Sequence, residues 1–188
     1  MNDFKKHIET NKKAWNKRTP VHIKSNFYNN DEFMRGKNSL KFIELNAIGD
    51  VTEKSLLHLQ CHFGQDSISL SRMGAKVTAV DFSDVAIREA KKLAKKIDTR
   101  VEFIESDVLD LKLNKEFDIV FSSYGVIGWL PDLDMWAKTI SDHLKKGGLF
   151  LLTEFHPFLE LIKGNGYDYF YDSNPDIEIE NGTYTDGG

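Results

Sequence analysis

Between residues 54 and 153, short apolar runs alternate with amphipathic stretches, each pair taking about 25 residues. Ser55-Leu56-Leu57-His58-Leu59 is the first run, and Ile68 to Met73 follows as a helix closed by Gly74. Lys76-Val77-Thr78-Ala79-Val80 is rich in β-formers and ends at Asp81. Ser83 fits a helix N-cap, with Ala86, Ile87, Ala90, Leu93, Ala94 and Ile97 on one stripe beyond it. Val101 to Ile104 and Phe117 to Phe121 are the third and fourth runs. A helix then begins near Pro131, with Leu133, Trp136, Ile140 and Leu144 as its buried face, and Gly147-Gly148 stop it. Leu149-Phe150-Leu151-Leu152 is the fifth strand. Strands alternating with helices require a parallel sheet covered on both faces, and right-handed crossovers give an α/β, doubly wound, Rossmann-like order.

Ahead of this core, residues 2–17 form a polar helix whose only large apolar positions are Phe4, Ile8 and Trp15. Such a helix is ordered only by leaning on something else. Residues 18–30, with Pro20 and Phe27-Tyr28, read as an irregular crossing segment. A second helix spans 31–48 on Leu40, Ile43 and Ala47, capped by Gly49. The chain thus divides into a helical arm or lid (1–48), a Rossmann-like core (49–156) and an acidic extension (157–188), together one compact domain of 188 residues.

Charge narrows the partners. The net −4 combines a basic arm, seven Lys/Arg against two acids in residues 1–30, with eight acids against Lys163 alone in 154–188. A pI near 5.9 argues against a nucleic-acid partner. No run reaches the roughly 18 apolar residues of a membrane helix, and the N-terminus lacks a secretory signal. One cysteine, Cys61, excludes an internal disulfide and an all-cysteine zinc site, and no metal is expected. The expectation is a cytoplasmic chain with no membrane partner.

Ligands of doubly wound sheets sit at the carboxyl ends of the strands. After the first strand, Gln60-Cys61-His62-Phe63-Gly64-Gln65-Asp66-Ser67 turns into a helix whose N-terminus could receive an anionic group, although Gly64 is its only glycine. Asp81 ends the second strand about 20 residues on, where a carboxylate takes ribose hydroxyls; a helix-capping role is the alternative. Glu105-Ser106-Asp107-Val108 puts a second acid at the same edge, suited to an adenine amine, with Val108 and Phe82 packing the ring; a turn role is its alternative. Ser122-Ser123-Tyr124-Gly125-Val126-Ile127-Gly128-Trp129 brings aromatics between glycines, and Glu154-Phe155-His156 brings an acid and an imidazole to the same rim.

In this ordered set the chain resembles the class I S-adenosylmethionine-dependent methyltransferases. Leu56 to Gly64 looks like their first motif in a histidine-bearing variant seen in a bacterial small-molecule-type subgroup. His58 stands where an acid is common, and Gln60 and His62 replace two glycines. Asp81-Phe82-Ser83 resembles the ribose motif and Ser106-Asp107-Val108 the adenine motif. Ser123-Tyr124-Gly125 lies where the methionine end is met. Ala14 to Arg18, with Phe27-Tyr28, looks like that subgroup's lid. The resemblance implies strand order 3-2-1-4-5 and a cofactor, S-adenosylmethionine, held by Gln60, Cys61, His62, Gly64, Asp66, Asp81, Phe82, Ser106, Asp107, Val108, Ser123, Tyr124, Trp15 and Tyr28. Tyr124 and His156 are the candidate catalytic residues, and a small-molecule methyl acceptor is the substrate.

The family sheet carries two strands after the fifth, and the chain reaches Gly188 without them. A five-stranded sheet is therefore expected, its fifth strand near Leu149 to Thr153 an apolar edge. That edge is expected to be covered by residues 166–185, where Ile177 and Ile179 alternate with acids, or to pair with a second copy. A nicotinamide-dependent oxidoreductase and a catalytically inactive binding module remain the alternative functions.

Overall fold

The computed structural model describes residues 2–156, 158, 177, 179 and 181–186. Its centre is a five-stranded parallel sheet of β1 (Ser55–Leu59), β2 (Lys76–Asp81), β3 (Val101–Glu105), β4 (Phe117–Ser123) and β5 (Leu144–Thr153), in the order β3-β2-β1-β4-β5. α4 (Gln65–Arg72) and α5 (Asp84–Lys96) return the chain over one face, and α6 (Leu133–His143) over the other. Two cores follow. Leu56, Val77, Ala79, Phe103 and Phe121 pack with Ile68, Ile87 and Ala90 on the first face. Leu57, Leu59, Val80 and Val120 pack with Trp136 and Ile140 on the second. Alternate residues of each central strand feed opposite cores, so β1 is buried from Leu56 to Leu59.

Local chemistry explains the joints. Ser83 Oγ accepts the Ala86 N–H and starts α5. At the far end of the sheet the Asp118 carboxylate accepts both the N–H and the Oγ–H of Ser55, at 2.8 and 2.6 Å, and pairs with Lys145 at 2.8 Å. These partners, led by the Lys145 hydrogen bond, hold its carboxyl well below the usual carboxylate range.

Several expectations need correction. The N-terminal helix, α1 (Asn2–Lys24), does not stop near residue 17 but continues through Pro20. Proline removes one N–H, yet Thr19 Oγ–H donates to Trp15 O at 2.8 Å, and burial of Thr19 and His22 holds the last turns against the body. The 31–48 region is two helices, α2 (Asn30–Met34) and α3 (Phe42–Ile48), parted around Gly36, whose φ of +113 no helix admits. The buried positions there are Phe33, Leu40, Glu44 and Ile48, whereas Ile43 and Ala47 are exposed. Gly49 does cap α3, donating to Leu45 O. Gly147-Gly148 do not end α6; they lie inside β5, where the register against β4 shifts between Phe117 and Ile119. A Cβ on Gly148 would lie 2.9 Å from Asp118 O, so glycine lets the two strands close at that bulge. Leu133 is exposed rather than buried.

Among the described residues β5 pairs with β4 alone. Most of the 166–185 cover lies outside the described residues, and Ile177 and Ile179 are exposed. No helix among the described residues is long and apolar enough to cross a membrane.

Candidate active site

A cavity of about 1090 Å³ opens at the carboxyl ends of the strands. Its floor is the turn from β1 to α4. Three residues of that turn have positive φ: Gln60 (+57), His62 (+51) and Gly64 (+82). At Gly64 glycine is also sterically required, because a Cβ would lie 2.6 Å from the Phe103 ring. At the other two, side chains tether the backbone. Gln60 Nε2–H donates to Val126 O and its Oε1 accepts from Ser122 Oγ, both at 3.3 Å. His62 Nε2 meets His22 Nδ1 at 2.9 Å.

Asp81 ends β2 beneath this turn. Its Oδ2 accepts the His62 N–H and its Oδ1 the Ser83 N–H, each at 2.8 Å. Burial pushes its carboxyl up to about 6, against the pull of those two N–H groups. Ser83 is the N-cap, so Asp81 is not spent on capping. Phe82, Asp107 and Val108 join the wall beside it, and Asp107 Oδ1 accepts the Leu109 N–H at 2.9 Å. Asp66 lies opposite, accepting Ser123 Oγ–H at 3.3 Å, and burial raises its carboxyl.

The roof comes from the arm. Trp15 and Arg18 of α1 line the cavity, with the guanidinium 5.6 Å from the Trp15 ring and 5.4 Å from that of Trp129. Three further contacts fix α1 to the core: Lys12 with Glu105 at 2.7 Å, Asn16 Nδ2–H to Asp84 at 2.7 Å, and Ser83 Oγ–H to Asn16 at 2.5 Å. Tyr28 follows, its hydroxyl 2.5 Å from that of Tyr184. The side wall is the loop after β4, where Tyr124 lies at φ +50 with Lys41 Nζ 4.6 Å from its ring. Burial, with Glu44 beside it, raises the Tyr124 phenol above its ordinary value. One side chain holds this loop: Glu154 accepts the N–H groups of Gly125, Val126 (2.8 Å), Ile127 (2.9 Å) and Phe155 (3.1 Å).

Of the residues expected at the site, Trp15, Tyr28, Gln60, Cys61, His62, Gly64, Asp66, Asp81, Phe82, Asp107, Val108, Ser123 and Tyr124 all line the cavity. Two do not. Ser106 points its hydroxyl at Asp107 O (3.0 Å), and its N–H pairs with Asp81 O. His156 is exposed outside the lining, and its Nδ1 accepts the Phe158 N–H at 3.2 Å. Lys41 and Tyr184, which do line the cavity, and His22 behind it were not anticipated; nothing local in the sequence marks them, since each arrives from a distant segment.

A parallel sheet of this order, with an acid closing β2 against the turn after β1, defines a Rossmann-like protein. Residues 56–148 match a family model described as a methyltransferase domain. The chain is 32% identical over 129 residues to a demethylmenaquinone methyltransferase of Clavibacter sepedonicus, covering 66% of this chain and 50% of that protein. It is 28% identical over 130 residues to a ubiquinone biosynthesis O-methyltransferase of Pelagibacter ubique, covering 64% and 54%. A solved glycopeptide N-methyltransferase complexed with S-adenosylmethionine superposes with a TM-score of 0.50 at 27% identity, covering 57% of this chain and 49% of that one. The chain belongs to the class I S-adenosylmethionine-dependent methyltransferases. It spans about half the length of these relatives.

Proposed function

We propose that this chain binds S-adenosylmethionine in the cavity and transfers its methyl group to a small-molecule acceptor. The observation that carries the reading is Asp81. Each of its oxygens accepts one backbone N–H, which leaves about half of the roughly four lone-pair sites of a carboxylate for two vicinal ribose hydroxyls. Phe82 and Val108 offer apolar surface for a flat base, and Asp107 an acceptor beside it. Asp66 and Lys41 supply opposite charges for an amino acid's two ends. When bound, the cofactor supplies an electrophilic methyl group on a sulfonium sulfur. The chain's own part is to orient both reactants and to exclude water, with α1 as the cover.

The relatives above are named for demethylmenaquinone, for ubiquinone biosynthesis and for a glycopeptide, which supports a small molecule here without choosing one. Calorimetric titration with S-adenosylmethionine, S-adenosylhomocysteine and NAD tests the reading. Binding of both adenosyl compounds is expected. Tighter binding of NAD would overturn it in favour of an oxidoreductase.

A further inference from the structure

His22 on α1 and His62 on the turn after β1 share a single hydrogen bond, Nδ1 of His22 to Nε2 of His62 at 2.9 Å. His22 is fully buried, and its Nε2 has no partner among the described residues. His62 lines the cavity, and its Nδ1 is the nitrogen that this bond leaves over. Trp15 packs edge-on against both rings, and Tyr28 stacks on His22 at 5.4 Å.

A neutral imidazole has one N–H and one acceptor nitrogen, so two neutral rings make one N–H···N bond. One added proton keeps that bond and makes it charge-assisted. A second puts donors on both facing nitrogens and breaks it. The pair is therefore built to hold one proton. Burial lowers both rings, His22 to about 4 with help from Arg18, and His62 to about 3. Asp186 acts the other way on His22. The Tyr28 and Tyr184 hydroxyls and the Cys61 thiol, which faces His62 O at 3.5 Å, are kept protonated by burial. Under the proposed function the cavity's acids serve the cofactor, Asp81 and Asp107 at its nucleoside and Asp66 at its amino group.

We propose that the His62–His22 pair receives the proton that the methyl acceptor gives up, which makes the acceptor a hydroxyl or N–H compound. This rests on the methyltransferase reading of the site. As the acceptor's oxygen or nitrogen bonds to the methyl carbon, the carbon–sulfur bond breaks and its electron pair stays on sulfur. The acceptor's proton passes to His62 Nδ1, and the pair from that O–H or N–H bond stays on the acceptor. His62 is the group that takes the proton; His22 is a positioning residue that shares the charge through its Nδ1, which faces His62 Nε2. A positive charge leaves sulfur as one arrives on the pair, so the buried site keeps its net charge. A sulfonium in the cavity disfavours a second cation, and its conversion to a thioether raises the pair's affinity for a proton.

The test follows the ring nitrogens of the full chain by NMR, histidine-labelled with nitrogen-15. The protein is titrated with acid, once saturated with S-adenosylmethionine and once with S-adenosylhomocysteine. Both rings should titrate together, with a midpoint at least roughly one unit higher in the homocysteine complex. His22→Phe keeps a ring in place without its nitrogens, and it should lower the His62 midpoint in that complex. Equal midpoints in the two complexes, independent titration of the rings, or a His62 midpoint unmoved by His22→Phe would each overturn the proposal. Should acid unfold the chain first, proton uptake on binding, measured at pH near 5 in two buffers, decides. Uptake should be larger for S-adenosylhomocysteine, and the difference smaller in His22→Phe; equal differences in both proteins refute the pair's role. If neither compound moves any histidine signal at saturating concentration, it is the methyltransferase reading that fails, and this one with it.

Discussion

The carboxylate of Asp81 accepts the backbone N–H of His62 at 2.8 Å, so the acid that closes β2 also sets the shape of the turn that follows β1. Its other oxygen sets the start of α5 through Ser83. One side chain thus fixes both the cavity floor and the wall beside it.

Replacing Asp81 by alanine should weaken S-adenosylhomocysteine binding by about 1.5–3 kcal/mol, the loss of hydrogen bonds to a charged acceptor. Titration calorimetry of both proteins reads this directly. Equal affinities would mean that Asp81 only organises the turn.

The same residue carries a pH signature. Its folded value of about 6 lies above its ordinary 3.8, so between those values the folded chain binds more protons than the unfolded one. Its contribution to stability is complete below pH 4 and is lost as pH rises through 6. Urea melts across that range should show wild type losing stability relative to Asp81→Asn as pH rises. Parallel curves would contradict the burial of this charge.

Gly64→Ala should destabilise the chain by on the order of 3 kcal/mol, combining left-handed backbone with a Cβ forced into Phe103. Adding Phe103→Leu should recover part of the loss in a thermal melt, since it removes the steric share and leaves the backbone share.

Glu154→Ala should free the loop that carries Tyr124 and Trp129. Three loop N–H groups and that of Phe155 lose a charged acceptor, for a loss on the order of 2–3 kcal/mol. Hydrogen exchange should accelerate at residues 125–127 while β1 and β2 stay protected. Unchanged exchange there would show that the loop is held by packing alone.

If α1 covers a bound cofactor, exchange in residues 10–24 should slow when S-adenosylhomocysteine is added. No slowing at saturation would reduce the arm to a structural brace held by Lys12, Asn16 and His22.

What was legible in the sequence was what neighbouring residues decide. The parallel, doubly wound sheet follows from periodicity and handedness, the Ser83 cap from its own hydroxyl, and the acid at Asp81 from its distance past the first motif, while the strand order came with the family resemblance. Pro20 misled because a helix-breaking signal is local, while the burial that overrides it comes from the body of the protein. Gly147-Gly148 misled in the opposite sense: glycine after a helix signals a cap, but here it serves the close approach of β5 to Asp118 O. His156 was placed by its nearness to a strand end, yet two residues earlier Glu154 turns inward and takes the contacts. His22 and His62 lie 40 positions apart, and no local pattern announces that they meet.

The tie between Ser55 and Asp118 joins residues 63 positions apart, whereas β1 meets β2 through Ser55 and Lys76. Closing the longer loop carries about 1 kcal/mol more chain entropy than the shorter. The β3-β2-β1 half can therefore pair early, from near neighbours, while β4 and β5 must wait for a long excursion to return. Asp118, tied to both Ser55 and Lys145, marks the seam where the late half locks onto the early one. Weakening it would slow the search for the native sheet more than it would disturb the cavity at the sheet's opposite end.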